Sequence, residues 1–195
     1  MKPLNKIYKK RWFARRDKLH WRAPHVCKAI NDILEPKSLI DVGCATADLV
    51  LCWREQFGIK ADGIEGTVEC LDHALCQPHI QDLRTLNIPI GQYDLCTCLE
   101  VAEHIEPEFA SVFVKNLTNL SDRILMSIAP PGQGGLYHVN CREIEYWIQL
   151  LQSFDYFYSP SYSESIKDNL EPHKNGNGIK AFYQNLVYFE RKDNA

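Results

Sequence analysis

The stretch from residue 38 to residue 49 constrains this chain more than any other. It runs from the compact apolar segment Ser38-Leu39-Ile40-Asp41-Val42 into the small residues Gly43-Cys44-Ala45-Thr46-Ala47, and then into Asp48-Leu49. That order reads as a buried strand, a tight turn and the start of a helix. A strand that ends in small residues lets a ligand lie against bare backbone. Glu65 closes the next short apolar run. A carboxylate in that place suits the two hydroxyls of a ribose.

The same alternation continues along the chain. Strand-like runs at 38–42, 61–65, 80–83, 93–99 and 123–129 are separated by helix-like runs at 46–56, 67–75 and 106–120. Pro107 fits the first turn of the last of these, where a missing N–H costs nothing. Asn140 followed by Glu143 reads as a capping box for a helix through Gln152. Runs at 154–159 and 182–191 are two further strands, with no clear crossover helix between them. The polar segment 164–178, with Pro172 and Asn175-Gly176-Asn177-Gly178, is expected to be a loop or flap. Before the first strand, residues 5–34 hold two helices separated near Pro24 and ending before Pro36. Tyr8, Trp12, Arg15 and Leu19 share one face of the first; Val26, Ile30, Ile33 and Leu34 share one face of the second. Strand and helix in alternation demand a mostly parallel sheet with right-handed crossovers. Ligands then bind at the carboxyl ends of the strands. Residues 41–47, Glu65, Asp82, 99–104 and 129–137 all fall on that edge.

A chain of 195 residues buries enough surface for a core without staples. No apolar run approaches 18 residues, so no membrane span is expected. The start, Met1-Lys2-Pro3-Leu4-Asn5-Lys6, lacks the apolar core of a secretory signal. The eight cysteines form no C-x-x-C pair, which argues against a zinc centre or a disulfide framework and for a reducing, cytoplasmic compartment. Charge is unevenly placed. Residues 1–28 hold ten Lys/Arg against the single acid Asp17, and the rest of the chain is strongly acidic. A basic arm of this kind either docks on its own acidic domain or contacts a phosphate-bearing partner such as nucleic acid.

Asp41-Val42-Gly43-Cys44-Ala45-Thr46-Ala47 resembles the D-x-G-x-G-x-G loop of class I S-adenosylmethionine-dependent methyltransferases. Gly63-Ile64-Glu65 resembles their second-strand acid, and Asp82-Leu83 their adenine-contacting pair. Tyr93-Asp94-Leu95 through Leu99-Glu100-Val101-Ala102-Glu103-His104-Ile105 resembles their fourth-strand block. The resemblance runs from about residue 38 to residue 129, and 181–189 is similar to the last strand of some small members. It implies a three-layer α/β Rossmann-like sandwich with a mostly parallel seven-stranded sheet and an antiparallel last strand. Residues 1–36 would be a basic helical arm or lid and residues 37–195 the methyltransferase domain. It also implies a cofactor, S-adenosylmethionine, held by Asp41, Gly43, Ala45, Glu65, Asp82, Leu83 and Leu99. Gly43 would admit the methionine part, Glu65 would accept from the ribose, and Asp82 would meet the adenine amino group. Where the family carries its second and third glycines, this chain carries Ala45 and Ala47. Ala45 fits if it keeps a negative φ. An arm arginine, Arg15 or Arg22, is a candidate for the cofactor carboxylate.

Methyl transfer from a sulfonium needs alignment and, for a hydroxyl acceptor, removal of a proton. Glu100, His104 and His138 are the candidate catalytic groups. Glu100, Glu103 and His104 are spaced to share a face, and with His138 they make a possible divalent-metal set. That set is similar to those of small-RNA 2′-O-methylating enzymes and ubiquinone-pathway O-methyltransferases. The metal-free reading is preferred here. The leading expectation is transfer to a hydroxyl, or else an amine, of a small molecule or sugar. The alternatives are RNA methylation and a non-catalytic binding subunit with the same fold.

Overall fold

The computed structural model describes residues 2–86, 88 and 90–192. Seven strands form one sheet: β1 (Ser38–Val42), β2 (Lys60–Glu65), β3 (His79–Ile80), β4 (Leu95–Leu99), β5 (Arg123–Ser127), β6 (Tyr156–Tyr158) and β7 (Leu186–Arg191). Their order is β3-β2-β1-β4-β5-β7-β6. The pairs β1–β2, β1–β4, β2–β3 and β4–β5 are parallel, and β7 is antiparallel to both of its neighbours. The expected mostly parallel sheet with an antiparallel last strand is therefore present.

Side-chain alternation along each strand builds two cores, one on each face. Leu39, Leu95, Leu125 and Tyr188 face one way, toward helices α3 (Ala23–Leu34), α4 (Asp48–Phe57) and α7 (Pro160–Leu170). Ile40, Cys96, Ile124 and Phe189 face the other way, toward α5 (Ala110–Leu120) and α6 (Ile144–Gln152). The register confirms the alternation: Leu125 lies opposite Tyr188, and Ile124 opposite Phe189. Strands buried on both faces explain the near-continuous apolar runs in the sequence. The short helices α1 (Leu4–Ile7) and α2 (Lys10–Ala14) lie outside both cores. Ile7, Tyr8 and Phe13 pack in a third cluster, against Ala45 and Cys70.

Several local expectations need correction. Segment 67–75 forms only a 3-10 turn at Val68–Cys70, because Leu75 N–H returns to bond Thr46 C=O. The third strand is His79–Ile80, and Leu83 lies in the loop beyond it. The polar segment 164–178 is not a loop throughout. Its first part belongs to α7, which crosses from β6 to β7 and buries only Ser163, Ile166 and Leu170, too narrow a stripe to stand out in the sequence. Residues 180–185 form a short helix, α8 (Lys180–Asn185), ahead of β7. The capping box at Asn140 is absent. Glu143 is itself the residue before α6, and Asn140 Oδ1 accepts from Arg142 Nε. Pro24 sits in the first turn of α3 instead of dividing two helices, and a 3-10 turn at Arg16–Arg22 leads into it.

The chain leaves β1 toward β2 and β3, and leaves β4 toward β5. The loops after β1 and β4 therefore diverge, and a crevice opens between them. The backbone after β1 turns sharply at Gly43, where φ is +76°. A Cβ there would sit 2.4 Å from Val101 Cγ2, in the loop after β4. Both the dihedral and the contact demand glycine. Gly43→Ala is expected to lower the melting temperature by about 5–10 °C. Val101→Ala in the same chain should restore part of that loss, since it relieves the contact and leaves the dihedral strain. An unchanged melting temperature for Gly43→Ala in thermal unfolding would show that the two loops are not tightly packed.

Candidate functional site

A cavity of about 660 Å³ occupies the crevice, within the size range of small-molecule sites. Asp41, Gly43, Ala45, Glu65, Asp82, Leu83, Leu99, Glu100, Glu103, His104 and His138 all line it. The rim residues picked out by the sequence therefore converge on one space.

The first loop is fixed by backbone bonds. Gly43 and Cys44 N–H both donate to Ile64 C=O, at 2.8 and 3.0 Å, prolonging the β1–β2 pairing. Ala45 and Ala47 adopt φ of 51° and 57°. The condition set for an easy fit of Ala45, a negative φ, is not met: the loop keeps a glycine-like path with alanine in it. Glu65 lies at the tip of β2. Its Oε1 accepts from Gly66 N–H at 2.7 Å and its Oε2 from Ala45 N–H at 3.1 Å. Burial nevertheless pushes its carboxyl up to about 7, against those two donors. Asp41 is also buried and accepts from Thr97 Oγ1 at 2.7 Å. Burial raises it to about 7, and Asp48 adds to the rise.

Asp82 is not a free acceptor. Arg84 holds it in a two-pronged pair, Nε to Oδ1 at 2.9 Å and Nη2 to Oδ2 at 2.7 Å. Arg84 Nη1 also reaches Glu106 at 2.9 Å and Lys2 C=O at 2.9 Å. Burial alone would raise the Asp82 carboxyl, but the guanidinium holds it below the usual range. Asp82, the residue expected to meet an adenine amino group, thus lines the cavity with its carboxylate oriented by Arg84. Asn116 Nδ2 donates to Leu83 C=O at 3.0 Å and Thr85 C=O at 2.8 Å, which fixes this wall of the cavity. Sequence pattern alone singles out neither Arg84 nor Asn116. An arginine two residues after Asp82 is the one available signal.

The second wall follows β4. Glu100 has φ +57°, and its N–H donates to Ser127 Oγ at 2.8 Å. Gln133 Nε2 donates to its carboxylate at 3.1 Å, and Asn185 Nδ2 lies at 3.4 Å. Glu103 is fully buried, and neither of its carboxylate oxygens has a hydrogen-bond partner among the described residues. Burial, reinforced by Glu100, raises it to about 8. His104 Nδ1 lies 3.2 Å from Tyr137 C=O, and His138 Nδ1 lies 3.0 Å from Gln133 C=O. A carbonyl can only accept, so each ring carries a proton on Nδ1 and turns Nε2 away from that contact. The two rings meet edge to face with centroids 4.8 Å apart. Burial, then the neighbouring His138, lowers His104 to about 4, which keeps it neutral. Glu103, His104 and His138 each offer a ligand atom within 4.8 Å of the others. Three of the four residues considered for a metal are thus gathered, while Glu100 turns to Gln133 and Asn185.

The arm closes the cavity. Tyr8, Trp12, Arg16 and Arg22 line it. The Tyr8 hydroxyl is buried without a partner among the described residues. Arg22 is tied to Asp48, Nε to Oδ2 at 3.4 Å, and Arg15 is exposed. His20 bonds Thr46 Oγ1 at 3.3 Å, and His25 stacks on His173 with centroids 3.8 Å apart. Neither of the latter two joins the site.

No family model matches the sequence. Among curated proteins, the chain is 26% identical over 113 residues to sphingolipid C9-methyltransferase 2 of Gibberella zeae. That match covers 50% of this chain and 21% of the fungal protein's length. Magnesium protoporphyrin IX methyltransferase of Synechocystis, solved with bound S-adenosylmethionine, superposes with a TM-score of 0.62 at 19% identity, covering 93% of this chain and 84% of that one. The plantazolicin methyltransferase BpumL, solved with S-adenosylhomocysteine, gives 0.57 at 16% identity, covering 92% and 88%. Strand order, the antiparallel β7 and these superpositions agree: this chain has the fold of the S-adenosylmethionine-dependent methyltransferases.

Proposed function

We propose that this chain is an S-adenosylmethionine-dependent methyltransferase acting on a hydroxyl of a small molecule or sugar in a reducing, cytoplasmic compartment. The supporting observation is the crevice between β1 and β4, where a glycine-turned loop and the Glu65 carboxylate face one cavity. The bound cofactor supplies an electrophilic methyl on a sulfonium. The chain's part is to hold and orient it and to receive the acceptor's proton. Glu65 takes the ribose hydroxyls, Gly43 and Ala45 bring backbone close, and Leu83 and Leu99 give apolar contact. Asp82 contributes through the wall it builds with Arg84. Burial raises the carboxyls of Asp41, Glu65 and Glu103, and a sulfonium beside them would favour their charged forms. His104, held neutral by burial, offers its Nε2 as a proton acceptor, and His138 stands beside it. All eight cysteines are free thiols, which agrees with a reducing compartment. Among the described residues no helix is long and apolar enough to cross a membrane. Two basic residues of the arm, Arg16 and Arg22, line the cavity instead of an outer surface, which favours a compact acceptor over RNA.

A metal-assisted version of this reading rests on Glu103. A buried carboxylate with no donor is costly. Beside it stand two imidazoles whose Nδ1–H groups are fixed by carbonyls, the arrangement that orients metal-bound histidines. Glu103, His104 and His138 fit a divalent ion of the manganese or iron type. Such an ion would polarise an acceptor hydroxyl.

Glu65→Gln is expected to weaken S-adenosylmethionine binding about tenfold or more, measured by calorimetry. The ionised Glu65 is the better acceptor, and its carboxyl sits near 7 without ligand. Affinity should therefore rise as pH increases through about 7, and the Glu65→Gln variant should show a shallower slope, the remainder belonging to Asp41. Equal affinities for the two proteins would remove Glu65 from the site.

For the metal, millimolar manganese should raise the wild-type melting temperature and leave that of Glu103→Gln unchanged. Without metal, Glu103→Gln should melt a few degrees higher than wild type at pH 8 and above, where the buried acid must ionise. Full methyl transfer in excess chelator would defeat the metal-assisted version and leave the histidines as the proton acceptors.

A further inference from the structure

The cavity uses only part of the arm's charge. Arg16 and Arg22 line it. Lys6, Lys9, Arg11, Arg15 and Lys18 are exposed, and among the described residues no carboxylate comes within 4.0 Å of them. Lys10 is exposed but paired, with Nζ 2.5 Å from Asp72 Oδ2, and Lys2 Nζ lies 5.4 Å from the centre of the Tyr137 ring. The five unpaired cations do not seat the arm on its domain. Apolar side chains do that: Ile7, Tyr8 and Phe13 pack with Ala45 and Cys70. The arm is thus amphipathic, with its apolar side spent inward and a surplus of positive charge facing out.

The segment 67–75 lies against the arm and adds a second feature. Its inward residue is Cys70, in the cluster with Ile7, Tyr8 and Phe13. Val68, Leu71 and Leu75 face outward, 58%, 38% and 44% exposed. Single aliphatic residues on a surface are ordinary. Three on one short segment beside a group of cations are a patch of mixed character. Lys10 reaches this segment through Asp72, and Lys2 shares an open groove with Val68 and Ile80. Cations therefore flank the aliphatic side chains. Residues 2–18 and 67–75 together hold seven exposed cations against three acids, Asp17, Glu69 and Asp72. Two of those acids are already engaged, Glu69 by the Thr67 hydroxyl and Asp72 by Lys10.

We propose that this face docks on an anionic phospholipid bilayer, with the arm's lysines and arginines on the headgroup phosphates and Val68, Leu71 and Leu75 in the interfacial layer. A bilayer surface of that kind meets both features at once, since it offers negative charge and, just beneath it, an apolar medium. A basic patch or a few aliphatic side chains alone holds a protein to a membrane weakly; the two signals together hold it firmly. Nucleic acid meets only the first feature. Its single strands stack their bases on aromatic rings, and the arm's Tyr8, Trp12 and Phe13 are packed inward. The arm also lines the cavity, so docking sets one wall of the cavity beside the headgroups. The proposal rests on surface chemistry and is independent of the reaction carried out in the cavity.

The test is co-sedimentation of the full chain with vesicles. Wild type should bind phosphatidylcholine vesicles containing about 30% phosphatidylglycerol about tenfold or more tightly than phosphatidylcholine alone, and added salt should release it. Lys6→Gln, Lys9→Gln and Arg11→Gln together should weaken that binding roughly 100-fold, at about fivefold per charge. Val68→Ser with Leu71→Ser should weaken it about tenfold and leave the remainder more easily released by salt. Lys115→Gln, an exposed lysine of α5, should change it by less than about twofold. The substituted side chains are all exposed, so thermal unfolding of each variant should match wild type and serves as the check on folding. Equal binding to neutral and anionic vesicles, or binding to neither, would overturn the proposal. So would wild-type binding by the triple variant or by the Val68 and Leu71 variant. Binding of RNA through the same cations, with no affinity for vesicles, would assign the face to nucleic acid and overturn it as well.

Discussion

The contact between Asp41 on β1 and Thr97 on β4 sits where the two halves of the parallel sheet meet. The two residues are direct neighbours in register, and the threonine hydroxyl donates to the buried carboxylate at 2.7 Å. Every later feature of the site depends on that seam. β1 feeds the turn at Gly43, and β4 feeds the turn at Glu100. The chain moves away from the seam on both sides, so the two turns stand apart and leave the crevice open. An acid buried with one hydroxyl donor is an expensive seam compared with the valines and leucines around it. Its raised carboxyl reflects that expense. The acid makes sense once the crevice holds a positively charged group nearby.

That electrostatic pattern extends through the cavity. Asp41, Glu65 and Glu103 are all pushed toward the neutral form by burial. The cations that line the cavity wall do little to relieve them. Arg84 is absorbed by Asp82 and Glu106, and Arg22 by Asp48. Arg16, held over Trp12, faces the opposite shortage. Buried acids along one side of the cavity and a cation with no paired carboxylate among the described residues at one end form a charge pattern that supports the sulfonium-bearing cofactor proposed above. Electrostatic groups fixed in this way need no rearrangement when charge arrives.

The parallel sheet is legible in the sequence because strands buried on both faces write long apolar runs, and because small residues and Glu65 mark the ends of β1 and β2. The residues converging on the cavity are legible for the same reason: in such a sheet, strand ends share one rim. What the sequence conceals lies where packing is thin or where a partner comes from far along the chain. Helix α7 buries too few apolar residues to show periodicity. The Arg84 fork depends on a loop conformation that Asn116 fixes from α5. In the arm, the helical face through Tyr8, Trp12 and Arg15 misses the inward arginine by one residue. Trp12 and Arg16 are four apart, as helical neighbours should be. The chain passes from α2 into a 3-10 turn at Arg16, and this brings Arg16 rather than Arg15 inward.

The two alanines in the first loop show how a missing glycine can be nearly neutral. A left-handed φ costs an L-residue roughly 1–2 kcal/mol. A buried methyl returns roughly 0.8 kcal/mol. Ala47 is fully buried in the core beneath α4, and Ala45 packs in the small cluster that includes Tyr8 and Phe13 of the arm. Each methyl therefore offsets much of the strain it causes. Gly43 has no such compensation, because a methyl there would meet Val101 instead of open space. At Ala45 the offset comes from the arm itself. The loop after β1 and the arm segment packed on it are thereby joined, and the departure from a glycine pattern becomes a docking point for the arm.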